Sequence, residues 1–116
     1  MKTENIFIKG LNREITFYIG QKQSENFDVI DKGTAEDLWF HANECSSSHI
    51  VAIIPNDIIK KDMKYIVKMG ALLCKMNTSK LKSLKRVEIT YTHLKHIEKM
   101  DVPGCVITKL SKIIQI

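Results

Sequence analysis

The 116-residue chain is short of several things, and each shortage narrows what it can be. It has only two prolines and five glycines, and the glycines are scattered. No Walker motif and no G-x-G-x-x-G occurs, so the common phosphate-cradling loops are missing. Aromatics make up 7% of the chain, with one tryptophan. Three cysteines, Cys45, Cys74 and Cys105, stand far apart without C-x-x-C spacing. Reduced thiols in a cytoplasmic protein are the expectation. No run approaches the ~20 apolar residues of a membrane span, and Ile6-Phe7-Ile8 is too short for a secretory signal. Carboxylates are dispersed, so no glycosidase pair stands out. Arginine is nearly absent: sixteen of the eighteen basic residues are lysine.

What is present is an ordinary globular composition with uneven charge. Hydrophobic residues are 44% and charged residues 27%, which suits one folded domain and excludes a disordered tail. Residues 1–56 hold five Lys/Arg and eight Asp/Glu, a balance of −3; residues 57–116 hold thirteen and five, a balance of +8. Segment 60–86 carries Lys60, Lys61, Lys64, Lys68, Lys75, Lys80, Lys82, Lys85 and Arg86 against Asp62 alone. Such a field draws polyanions. A lysine-rich surface kept for solubility is the plainer reading. Lysine offers phosphate a point charge, not the fork that arginine presents to guanine, so nucleic-acid binding here would be mainly backbone binding.

The pattern of residues predicts an α+β domain: a mainly antiparallel sheet packed on one long basic amphipathic helix and one short helix. Ile6–Ile8 and the alternating 14–19 segment read as a hairpin about Gly10-Leu11-Asn12-Arg13. Ser24 to Lys32 fits a short helix with Ser24 as N-cap. Asp37 to Ala42 alternates, with Leu38, Phe40 and Ala42 on one face and Asp37, Trp39 and His41 on the other. His49 to Ile54 reads as a central strand covered on both faces. Ile59, Met63, Ile66, Gly70 and Leu73 form a helical stripe, placing a helix from about Asp57 to Met76. Val87 to Thr92 is a further strand. Pro103-Gly104 marks a turn, and Val106–Thr108 and Ile113–Ile116 are closing strands that could pair as a hairpin.

Three chemistries are conceivable from these residues. His41, Cys45 and His49 have H-x3-C-x3-H spacing, but zinc needs three or four converging ligands and none of Glu44, Cys74 or His93 is marked out as the fourth. Hydrogen-bonded histidines at strand ends are the commoner outcome. Cys45 with His41 could form a nucleophile and base, yet no orienting acid or oxyanion hole accompanies them. Trp39 on a polar strand face could be a base-stacking platform, or could fill space beneath a helix. No cofactor and no metal are expected, and no enzyme is predicted.

The segment Glu36-Asp37-Leu38-Trp39-Phe40-His41, followed by Ser47-Ser48-His49, resembles the NFACT-R domain, the RNA-binding module of ribosome quality-control proteins. Matching segments run along nearly the whole chain: Tyr18-Ile19-Gly20 and Asn26, Cys74-Lys75-Met76-Asn77, Val87 to Thr92, the basic turn at Lys95, and Met100-Asp101-Val102. The details look nearest to the stand-alone eukaryotic branch of small coiled-coil-domain-containing proteins, without its charged C-terminal extension. The resemblance implies a non-catalytic module that binds structured RNA, tRNA or rRNA, on the ribosome. Quality control or dormancy is the implied setting. It singles out Asp37, Trp39, His41, Ser48, His49, Lys75 and Asn77, with Asp37 and His41 able to hold the loop instead of touching RNA. The expected RNA surface is therefore the helix and connector lysines, Arg86, Lys95, Asn77 and the Trp39, His41, His49 group. The rival is a protein-interaction module whose acidic half (Glu25, Asp28, Asp31, Glu36, Asp37) meets a ribosomal or other basic protein.

Overall fold

The computed structural model describes residues 1–43, 47–102 and 105–116. The first hairpin forms as the alternation predicts. Strand β1 (Lys2–Ile8) pairs antiparallel with β2 (Arg13–Gly20). Asn12 turns the chain with φ of 55°, a left-handed conformation that asparagine tolerates better than most residues. Strands β3 (Leu38–Ala42), β4 (His49–Ala52), β5 (Glu88–His93) and β8 (Lys112–Gln115) complete a six-stranded sheet in the order β1-β2-β4-β3-β5-β8. Every pairing in it is antiparallel.

Two helices pack on opposite faces of this sheet. The longer, α2 (Met63–Met76), covers the face carrying Phe17, Ile50, Leu38, Phe40 and Ala42. Gly70 lets it come close: a Cβ there would lie 2.3 Å from the Phe40 ring. The shorter, α1 (Asn26–Asp31), lies on the other face, where Val29 joins Trp39, Val51 and Leu94 in a second core. Strand β4 is buried throughout, as expected for a central strand with both faces covered. It feeds α2, which returns to β5 on the far side of β3. Antiparallel pairing of β3 with both makes β4 and β5 parallel, so one crossover unit sits inside the antiparallel sheet.

The structure corrects the expected helix starts and the closing strands. The long helix begins at Met63, not near Asp57, and has 14 residues, about 21 Å at 1.5 Å per residue. Lys60–Asp62 is a 3-10 turn. Such a turn also brings i and i+3 together, so the apolar spacing ran past the true start. Ile59 is 51% exposed, and the buried face is instead Ile66, Val67, Gly70, Ala71 and Cys74. Likewise Gln23–Glu25 is a 3-10 turn, Glu25 occupies the N-cap of α1, and Ser24 is not the cap. The two closing strands do not pair with each other. Strand β7 (Val106–Thr108) pairs with β6 (Ile97–Lys99) in a separate ribbon, and β8 joins the main sheet beside β5. The Pro103-Gly104 turn lies outside the described residues. Among the described residues no helix is long and apolar enough to cross a membrane.

Candidate functional site

The described residues of the 37–49 motif form two clasps and the floor of a cleft. Asp37 is the first clasp. Its buried carboxylate accepts hydrogen bonds from the Thr34 N–H (2.7 Å), the Thr34 hydroxyl (3.2 Å) and the Ile54 N–H (2.8 Å). It ties the turn before β3 to the chain leaving β4. Ser48 is the second clasp. Its N–H donates to Thr78 Oγ1 and its hydroxyl donates to the Asn77 carbonyl. Thr78 Oγ1 in turn donates to the Cys74 carbonyl, and Asn77 Nδ2 to the Leu73 carbonyl. The Thr78 bond satisfies a carbonyl that the end of α2 would otherwise leave open, the Asn77 amide reinforces the backbone bond to Leu73, and the Ser48 bonds fasten that end to β4. Asn77 Oδ1 accepts from Lys2 Nζ, so both ends of its amide are engaged within the fold.

Trp39, His41 and His49 form one aromatic cluster. Trp39 is only 2% exposed. It is a core residue under α1, and its face is not open as a stacking platform. Its ring stacks on His41 at 5.6 Å, and His41 meets His49 edge-on at 4.6 Å. The indole N–H donates to His49 Nδ1 at 3.2 Å. Accepting that bond leaves the neutral His49 ring with its proton on Nε2. Burial, aided by His41, pulls the His49 pKa from 6.5 down to about 3. Burial and the nearby charge of Lys80 lower His41 as well. Both rings are uncharged at neutral pH.

This cluster forms the floor of a cleft of about 800 Å³. Its walls are Gly20 to Gln23 and Asn26 on one side, Asn77 to Ser79 at the end of α2 on another, and Met100, Val106 and Thr108 of the β6–β7 ribbon on a third. Lys22 lines it, and the charge of Lys80 acts on His41. Cys45 and Glu44 lie outside the described residues. Among the described residues no three His, Cys, Asp or Glu side chains could hold a metal.

The lysines of α2 follow a separate line. At 100° per residue, Lys64, Lys68 and Lys75 fall within ~40° of one another on the helix surface. Lys64 shares a second cleft with Lys60, Tyr91 and Lys112. Eleven residues on, Lys75 Nζ donates to the Ile116 carbonyl at 3.2 Å. The lysine flank of α2 therefore runs alongside edge strand β8. Lys61 sits exposed in the preceding 3-10 turn. The connector then carries Lys80, Lys82, Lys85 and Arg86, all exposed. One end of it leaves the cleft wall at Ser79, and the other returns to β8, where Val87 and Ile116 exchange two backbone hydrogen bonds. Lys95 stands apart from this line, ion-paired with Glu36 at 2.9 Å.

Comparison with known proteins decides the family. The model of the NFACT protein RNA binding domain matches residues 5–110. The chain belongs to the NFACT RNA-binding domain family. Similar NFACT-R relatives include coiled-coil domain-containing protein 25 of Bos taurus, 33% identical over 100 residues, covering 75% of this chain and 44% of the relative. The Dictyostelium discoideum homologue is 30% identical over 95 residues, covering 81% and 46%. The chain thus spans less than half the length of these relatives. The same fold occurs in the C-terminal part of the fibronectin/fibrinogen-binding protein of Streptococcus suis, with TM-score 0.80, 20% identity, all of this chain and 45% of that one covered. Within the NFACT-R frame, sequence reasoning found the motif but missed Asn26 as a cleft residue and Lys112 as part of the basic edge. Asn26 was visible only as a motif match, and Lys112 joins α2 only through the pairing of β8.

Proposed function

We propose that this domain is a non-catalytic binder of structured RNA, rRNA or tRNA, acting on the ribosome in the cytoplasm. The observation that carries the reading is the lysine edge: Lys60 in the turn before α2, Lys64, Lys68 and Lys75 along α2 and Lys112 on β8, extended by Lys80, Lys82, Lys85 and Arg86. Structured RNA is recognised largely through shape, phosphates and 2′-hydroxyls, which suits a row of ammonium groups better than a base-reading surface. Family membership supports RNA as the partner. Ribosome quality control or dormancy is the setting proposed for this binding.

Four of the five acids of the rival protein-binding surface are engaged within the fold. Glu25 pairs with the N-terminal ammonium, Asp31 with Lys99 and Glu36 with Lys95, while Asp37 is buried. UV cross-linking in cells, with mass-spectrometric mapping of the attached peptides, separates the two. RNA adducts are expected within residues 60–86 and at Lys112. Adducts to protein alone, through residues 25–37, would refute the RNA reading.

A further inference from the structure

The cleft floor contains a mismatch that the fold itself does not resolve. Asn26 is 7% exposed, and among the described residues its Oδ1 is the one buried side-chain acceptor without a hydrogen-bond partner. An acceptor left this way costs stability, so its retention calls for a reason. Its place is well defined. A Cβ on Gly20 would lie 2.6 Å from Asn26 Oδ1. Gly20 is directly paired with His49 across β2 and β4, and directly paired residues project to the same face. The orphan acceptor therefore lies on the same face of the sheet as the His49 ring, at the neighbouring strand position. That ring carries its proton on Nε2, because Nδ1 accepts from Trp39. No bond joins Nε2 to another described residue. The cleft lining thus holds one neutral acceptor and one neutral donor on the same face of the sheet.

The chemistry of that pair selects among ligands. A phosphate has acceptors only and leaves Asn26 Oδ1 unsatisfied. A metal would find a neutral amide oxygen and a ring nitrogen already protonated. The hydrogen-bonding edge of a nucleobase supplies a donor and an acceptor next to each other. We propose that the cleft takes the base of one unpaired RNA nucleotide, held by Asn26 and His49 beside the His41 ring, with Lys22 and Lys80 placed for its phosphates. This rests on the RNA-binding reading and adds to it: the lysine edge grips paired RNA, and the cleft requires a base that has left the stack. Only an unstacked base exposes its edge to such a site.

The test uses four RNA hairpins, each with a single unpaired nucleotide, A, C, G or U, and one fully paired hairpin of the same length. Affinities are measured by fluorescence anisotropy. The wild-type chain should bind at least one bulged hairpin about tenfold more tightly than the paired one. Asn26→Leu should reduce that preference to below about threefold, leave affinity for the paired hairpin unchanged, and not lower the melting temperature, because it removes an unpartnered acceptor. Equal affinity of the wild type for all five hairpins overturns the proposal. So does Asn26→Leu with its preference intact. Should Asn26→Leu not fold, the wild-type His49 Nε2–H resonance is the readout. It should move on adding the preferred bulged hairpin and stay on adding the paired one; no movement with either overturns the proposal. Free AMP, CMP, GMP and UMP form a further arm: a mononucleotide that binds as tightly as the bulged hairpin makes this a nucleotide pocket and not an RNA subsite. If no hairpin binds at all, it is the RNA-binding reading that fails.

Discussion

Asp37→Ala is expected to destabilise the domain by about 3 kcal/mol while leaving the RNA affinity of the folded fraction unchanged. The carboxylate accepts three hydrogen bonds from two separate segments, 34 and 54. Hydrogen bonds to a charged group contribute ~1.5–3 kcal/mol each, and a buried donor left without its acceptor costs ~1–3 kcal/mol. Thr34 is exposed and water replaces part of what it loses. The Ile54 N–H is half-buried and recovers less. Asp37→Asn should lose roughly half as much, since one end of the side chain still accepts. Urea denaturation measures both. A loss below about 1 kcal/mol for the alanine variant, or a fall in RNA affinity at unchanged stability, would make Asp37 a contact residue and not a clasp.

The second large effect is a loss of stability in mild acid that originates at His49. Its pKa is about 3 in the folded chain against 6.5 for an ordinary histidine. Below pH 6.5 the unfolded chain takes up a proton that the folded chain refuses. The stability is therefore present above pH 6.5 and is lost as pH falls toward 3, at up to ~1.4 kcal/mol per pH unit. From pH 6.5 to 5, above the range in which carboxylates titrate, His49 alone should remove about 2 kcal/mol. His41 adds to this in the same direction, since burial lowers its pKa too. Denaturation of the wild type and of His49→Gln at pH 7, 6 and 5 measures it: the wild type should lose stability more steeply, so the gap between them narrows. Parallel losses would show that His49 is not the group excluding the proton.

Much of this was legible along the chain, and what was not has identifiable causes. The faces of β3 could be read directly, because side chains alternate and Leu38, Phe40 and Ala42 are all large or apolar at period 2. Burial of β4 followed from its unbroken apolar run. The close approach at Gly70 followed from a glycine inside a helical stripe. The start of α2 was misplaced because a 3-10 turn repeats the i, i+3 spacing of a helix. The partners of β7 and β8 were misassigned because alternation says which side chains share a face and nothing about which strand lies alongside. The same limit hid Lys112. At the site, Trp39, His41, Ser48 and His49 stand out as one motif along the chain, but their division into core, clasp and cleft floor depends on β2, β4 and the end of α2 meeting in space. A buried amide oxygen at Asn26 lacking a partner has no local signature at all.

The central claim is that ammonium groups along α2, the connector and β8 hold RNA phosphates, and salt dependence tests it most directly. Each phosphate contact contributes a slope of roughly −0.7 to −0.9 in log affinity against log salt. Four to six contacts predict a wild-type slope of about −3 to −5 on structured RNA. Lys64, Lys68, Lys82 and Lys85 are exposed, so replacing all four with glutamine should leave the fold intact and, if each holds one phosphate, make the slope shallower by about 3. An unchanged slope in the quadruple variant would contradict the account.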